Sequence, residues 1–186
     1  ADLCRAKSIW LILDETYRDF LPDAGSSPHG LFRLDGWQDF VVSLYSFSKS
    51  FCIPGHRLGA ITAGPAFIAQ VAKIMDNLQI CAPRAAQAAV CEALPLLAGW
   101  REENRQEILR RAEALRRVMA ALPDWQLAAV GAYFAFVRHP FAGAASATVA
   151  EALARKVGVS CIPGGYFGAQ QEGYLRFAFA NADAAT

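Results

Sequence analysis

Two short, nearly unbroken apolar runs dominate the first quarter of the chain, and each ends in polar residues. Residues 8–15 read SIWLILDE and residues 40–46 read FVVSLYS. Runs of this length, bounded by turn signals, predict buried strands of an α/β sheet, covered on both faces. A third run, RLGAITAG at 57–64, predicts a strand returning from the loop around Pro54 and Gly55. The opening ADLCRAKS reads as the tail of a helix.

The period then changes from two to about 3.6. In GPAFIAQVAKIMDNL, Pro65 suits a first helical position, and Phe67, Val71, Ile74 and Leu78 form one stripe. A second, alanine-rich helix follows Pro83 and runs to about Leu94, before Pro95. A third, from Arg101 to Leu122, keeps Ile108, Ala112, Leu115, Met119 and Leu122 on one side and charges elsewhere, as a solvated helix does. From about Trp125 the pattern changes again. YFAFVRH (133–139) and YLRFAFA (174–180) alternate as strands, flanking a helix in SATVAEALARKVG. Thr148 and Glu151 have the spacing of a capping box there, and Gly158 that of a C-terminal cap. Two lobes are predicted: residues 1–98 as part of a larger α/β domain, and residues 99–186 as a long connecting helix and a small α+β domain.

Composition narrows the function classes. The 186 residues are 54% hydrophobic and 19% charged, enough for a sizeable core. With 18 basic and 17 acidic residues, the net charge of +1 gives no footprint for nucleic acid. No run reaches the ~18 apolar residues that span a bilayer. Cys4, Cys52, Cys81, Cys91 and Cys161 have no metal-ligand spacing and no disulfide framework, so no metal is expected and a reducing cytoplasm is the simplest reading.

The candidate chemistry lies in SLYSFSKSFCIPGHRLGA, residues 43–60. Here a strand delivers Lys49 among Ser46, Ser48 and Ser50, and Arg57 follows between glycines. A lysine is nucleophilic only when deprotonated, which partial desolvation or nearby positive charge favours, and Schiff-base formation with an aldehyde is the usual use. Hydroxyls and a planar guanidinium fork suit a phosphate. An aldehyde that carries a phosphate is pyridoxal 5'-phosphate.

SFSKSFCIPGHRLG resembles the lysine motif of the class I/II aminotransferases, the fold-type I pyridoxal-phosphate enzymes, with its pattern S-x-S-K, a short loop and G-x-R-x-G. The resemblance implies that Lys49 carries the cofactor and shuttles the substrate proton, and that Ser46, Ser48 and Arg57 hold the phosphate. LILDETYRDF resembles the family's D-E-x-Y segment. That likeness implies that Asp14 meets the pyridine nitrogen and Tyr17 the ring's phenolic oxygen, while Glu15 and Asp19 are left as structural or solvated. GYLRFAFAN resembles the C-terminal strand whose arginine, here Arg176, binds the substrate carboxylate; a structural salt bridge to a neighbouring acid is the bland alternative. Tyr133 and Tyr166 either border the substrate or pack in the core. His56 is expected to pack in its loop, and His29 and His139 have no partner visible from sequence.

The implied fold is the aspartate aminotransferase-like α/β fold, contributing part of its large, mostly parallel-sheet domain and a small α+β C-terminal domain. The implied activity is amino transfer from an amino acid to a 2-oxo acid, in a homodimer. Decarboxylation or β-elimination on the same fold, or an effector-sensing domain of a transcription regulator, are the alternatives. The likeness extends over nearly all of these residues but only to the second half of a family member, so residues 1–186 alone are expected to be inactive.

Overall fold

The computed structural model describes residues 1–23 and 27–183, and the end of the NADAAT terminus lies outside the described residues. The chain divides into two compact units, residues 1–103 and 104–186.

The first unit begins with α1 (Asp2–Lys7), followed by β1 (Leu11–Asp14) and, after a long loop, β2 (Val41–Ser46). One helical turn, α2 (Phe47–Ser50), leads through a 3₁₀ turn at Pro54–His56 to β3 (Gly59–Ala63). Three helices follow: α3 (Pro65–Leu78), α4 (Arg84–Ala93) and α5 (Ala98–Ala120), whose first residues complete this unit. The three strands lie in sequence order. β1 runs parallel to β2, with Asp14 opposite Leu44, and β3 runs antiparallel to β2, with Gly59 opposite Ser46. The ladder continues past the strand ends, since Glu15 N–H donates to Leu44 O (2.8 Å) and Phe47 N–H to Leu58 O (3.1 Å).

Gly59 is obligatory at this seam. A Cβ there would stand 2.8 Å from the Tyr45 carbonyl oxygen on the neighbouring strand. Ala86 and Val90 of α4 are buried with Leu58, and Phe47 of α2, Ile53 and Ala82 pack against them.

Both-face cover is found for only part of this sheet. Val41, Val42 and Ser43 are buried, but Ile12 (58%), Leu44 (36%) and Ile61 (42%) are exposed. Strand side chains alternate, and the register puts Ile12, Leu44 and Ile61 on one face, together with Asp14 and Ser46. The α3 stripe behaves alike: Phe67 and Val71 are half-buried, whereas Ile74 and Leu78 are exposed. Apolar period alone does not say whether a partner surface is present.

In the second unit, β4 (Gln126–Gly131), β5 (Phe134–Arg138), α6 (Ser146–Val157), β6 (Ile162–Pro163) and β7 (Tyr174–Ala178) follow the end of α5. The sheet order is β4-β5-β7-β6, all antiparallel. Ala135, Val137 and Leu175 are buried on one face, and Leu175 packs with Val149 and Ala150 of α6. β4 and β6 lack the sustained alternation that marks β5 and β7.

The capping-box expectation for α6 is corrected here. The helix starts at Ser146 with Ala145 at its N-cap, so Thr148 falls inside the first turn. The N-terminal donors are met from afar: Ser146 N–H and Oγ–H both donate to Glu172 Oε2 at 2.7 Å. Glu151 instead pairs with Arg155 at 2.8 Å. Gly158 does cap the helix, at φ +71°. Among the charges of α5, Arg105 is buried rather than solvated.

Candidate active site

The parallel pairing of β1 with β2 and the antiparallel return of β3 bring three chain segments to one end of one sheet. There β1 ends at Asp14, β2 ends at Ser46 and Lys49 follows, and Arg57 lies two residues before β3 begins. Strand ends of open α/β sheets are where such folds hold ligands.

Lys49 sits on α2 rather than on the strand itself. Ser46 is the N-cap, and its Oγ accepts from the Ser48 N–H at 3.3 Å. A hydroxyl that accepts in this way keeps its own proton for another acceptor. Ser48 and Ser50 are buried and Lys49 is half-buried. Among the described residues no carboxylate pairs with the Lys49 ammonium.

A turn of four residues has no stability of its own. Asp19 supplies it from outside, accepting from Tyr45 Oη–H just before the N-cap and from Ser50 Oγ–H (2.6 Å) at the end of α2. Arg101 Nη1 lies 3.5 Å from the other Asp19 oxygen, and its guanidinium lies 5.0 Å from the Phe51 ring centroid. Burial, then the Asp19 carboxylate, push the Tyr45 phenol up to about 12. Of the two readings left open for Asp19, structural or solvated, the structural one holds. It holds for Glu15 too, which is buried, accepts from Ser43 Oγ–H, and contacts His29 Nε2 at 3.2 Å. His29 therefore has the partner that sequence reading could not see.

Asp14 is exposed, and its Oδ1 accepts from Thr16 Oγ1–H (2.6 Å) and Thr16 N–H (3.1 Å). These bonds, the side-chain one foremost, hold its carboxyl below the usual range, so it stays ionised near neutrality. Thr16 escaped the sequence reading, although an aspartate two residues before a threonine is the signal of an Asx turn. Tyr17 is half-buried in the loop after β1. Arg57 adopts a left-handed conformation (φ 51°, ψ 44°), and its Nη1 donates to Pro54 O at 2.7 Å. Its remaining N–H groups are on an exposed side chain.

Two cavities of this unit lie elsewhere: one of about 490 Å³ beside Arg5, Trp10 and Asp35, and an apolar one of about 140 Å³ beside Ile53, Ala86 and Val90. Lys49 lines neither. It stands three residues past Ser46, where β2 ends.

In the second unit, Arg176 stands opposite Phe136 in the β5–β7 register, on the face away from buried Leu175. The expected alternative of a structural salt bridge is not found; among the described residues no acid pairs with it. Its guanidinium carbon instead lies 4.5 Å from the Phe134 centroid and 4.9 Å from that of Phe167. The Tyr133 and Phe134 rings meet at a tilt of 48° with centroids 4.7 Å apart, and Tyr166 is 76% exposed. His139 Nε2 is 3.0 Å from Glu172 O. Among the described residues no helix is long and apolar enough to cross a membrane, and no cluster of His, Cys, Asp and Glu is arranged for a metal.

A lysine on a strand-ended turn, an ionised aspartate at the neighbouring strand's end and, in the second unit, an arginine with no acid partner among the described residues are compatible with the α/β aminotransferase-like class. The model of the family described as aminotransferase class I and II matches residues 1–186, and the chain belongs to that family. It is 30% identical over 183 residues to the aromatic aminotransferase ISS1 of Arabidopsis thaliana, covering 96% of this chain and 44% of that protein. It is 31% identical to the arginine–pyruvate transaminase AruH of Pseudomonas aeruginosa, over 95% of this chain and 44% of the relative. Among solved structures, an aromatic aminotransferase from Pyrococcus horikoshii superimposes with a TM-score of 0.85 at 28% identity, over 97% of this chain and 48% of that one. The chain therefore spans a little under half the length of these relatives.

Proposed function

We propose that this chain is the Lys49-bearing part of a pyridoxal-phosphate-dependent aminotransferase that moves an amino group from an amino acid to a 2-oxo acid. The observation that carries this reading is the convergence of Asp14, Ser46, Lys49 and Arg57 at one sheet end. The residues fit the cofactor chemically. An ionised Asp14 keeps a pyridine nitrogen protonated, Ser46 retains a hydroxyl proton, and Arg57 has free N–H groups for a phosphate. When bound, pyridoxal phosphate supplies an electron sink for the pair left by a broken bond at the substrate α-carbon.

Around it, each residue has a distinct task. The Lys49 amine would be the group that holds the cofactor, and it would also move the proton at the substrate α-carbon. Tyr17 donates to the phenolic oxygen. Ser46, Ser48 and Arg57 hold the phosphate, and Arg176 takes the substrate carboxylate through its planar fork. Residues 1–98 would belong to the large cofactor-binding domain, and residues 99–186 to the connecting helix and small domain. The exposed apolar face that carries Asp14, together with the partial span of the relatives, supports a working enzyme built from a longer chain, as a homodimer. Cytoplasmic residence fits the five free cysteines.

Borohydride treatment of the intact protein, with peptide mapping, tests the assignment. A pyridoxyl adduct on Lys49 is expected. An adduct on Lys7, Lys73 or Lys156 instead would remove Lys49 from the mechanism.

A further inference from the structure

We propose that Phe134 and Phe167 are positioning residues for Arg176, holding its guanidinium by their ring faces so that its N–H fork stays free for the substrate carboxylate. This deepens the reading of Arg176 given above and rests on it.

The sheet has two unlike faces. Ala135, Val137 and Leu175 point into the core beside α6. The alternate residues Phe134, Phe136, Tyr174 and Arg176 share the other face by register. A guanidinium on such a face needs something to fix its direction. An acid would do so, but it would occupy the fork that a carboxylate ligand requires. Aromatic rings attract the cation through their quadrupoles and take up no N–H in-plane partner. Phe134 and Phe167 stand at 4.5 and 4.9 Å from the Arg176 guanidinium carbon, and among the described residues no acid does.

Phe167 is itself held in place. It ends the 3₁₀ turn Gly164–Phe167, whose Gly165 N–H donates to Ser146 Oγ at 3.0 Å. Ser146, almost fully buried, donates in turn to Glu172. Gly164 admits no side chain, because a Cβ would stand 2.1 Å from Gln171 O and 2.5 Å from Tyr174 O. The ring also meets Phe136 edge-on at 6.1 Å, and Phe136 stacks on Tyr174 at 4.9 Å. The turn thus fixes Phe167 while leaving the residue about half exposed.

The test uses the intact holoprotein and propionate, an unreactive carboxylate, with binding measured by calorimetry; 2-phenylethylamine serves as the ligand without a carboxylate. Phe167→Leu and Phe134→Leu should each raise the propionate Kd about 3- to 30-fold, the span of a cation–π contact, and leave the amine unaffected. Because leucine also alters packing, trifluoro- and pentafluorophenylalanine are placed at 167, where ring size is nearly kept and the quadrupole is progressively weakened. The propionate Kd should rise stepwise with fluorine content, a trend that a packing role does not produce. A flat fluorination series overturns the proposal, as does an equal loss for propionate and the amine. Arg176→Ala separates the two levels: if it weakens propionate while the ring series is flat, only the positioning role fails. If Arg176→Ala itself leaves propionate binding unchanged, the reading of Arg176 fails with it.

Discussion

Replacing Asp19 with asparagine should loosen the turn that carries Lys49. One carboxylate serves three donors: Tyr45 Oη–H, Ser50 Oγ–H at 2.6 Å and, more weakly, Arg101 at 3.5 Å. Hydrogen bonds to a charged acceptor contribute ~1.5–3 kcal/mol each. Both side chains of the Arg101 pair are about one-quarter exposed, which limits that pair to ~1 kcal/mol or less. Tyr45 and Ser50 both donate to Oδ2 while Arg101 faces Oδ1, so asparagine with its oxygen in the Oδ2 place keeps both bonds but to an uncharged acceptor, and sets its NH₂ against the Arg101 cation. The expected loss is about 2–4 kcal/mol. Tyr45→Phe and Ser50→Ala should cost about 1–2 kcal/mol each in the native background and clearly less in the Asp19→Asn background, because their acceptor is already impaired. Urea unfolding of the four variants of each cycle measures this. A single-variant cost under about 1 kcal/mol, or costs that simply add, would refute the argument that Asp19 couples the two ends of α2.

Three further outcomes follow from the same geometry. Tyr45 has its phenol raised to about 12 by burial and by Asp19, so its contribution is complete below pH 10 and is lost as pH rises from 10 through 12. After a discount for partial solvent access this amounts to about 1–2 kcal/mol, and Tyr45→Phe should abolish that alkaline slope in stability curves. Thr16→Val removes the 2.6 Å bond that does most to depress Asp14, so its carboxyl should titrate at higher pH by NMR; an unchanged titration would discard Thr16 as the cause. Gly59→Ala forces a Cβ to 2.8 Å from the Tyr45 carbonyl and should destabilise by about 1–3 kcal/mol in urea unfolding, as overpacking against backbone does. A cost below 0.5 kcal/mol, on the order of an ordinary surface change, would mean the seam relaxes freely.

The sequence by itself determined what depends on neighbours a few residues apart. Strand runs ending at Asp14 and Ser46, the helices after Pro65 and Pro83, the Gly158 cap and the lysine motif all express local periods or turn chemistry, and these are written within four or five residues. Tertiary structure decided the pairings across long separations. Asp19 meets Tyr45 and Ser50 from 26 and 31 residues away, Glu15 meets Ser43 from 28, and Ser146 takes Glu172 from 26 in place of the local capping box that Thr148 and Glu151 spell. The same holds for Arg176, whose strand was legible but whose aromatic neighbours were not, because Phe134 comes from an adjacent strand and Phe167 from a turn. Exposure was equally out of reach: Ile12 and Ile74 satisfy the patterns of covered strand and helix faces yet face outward here. Periodicity records which side of an element is apolar, whereas the surface that meets it is set by register and by the chain packed against it.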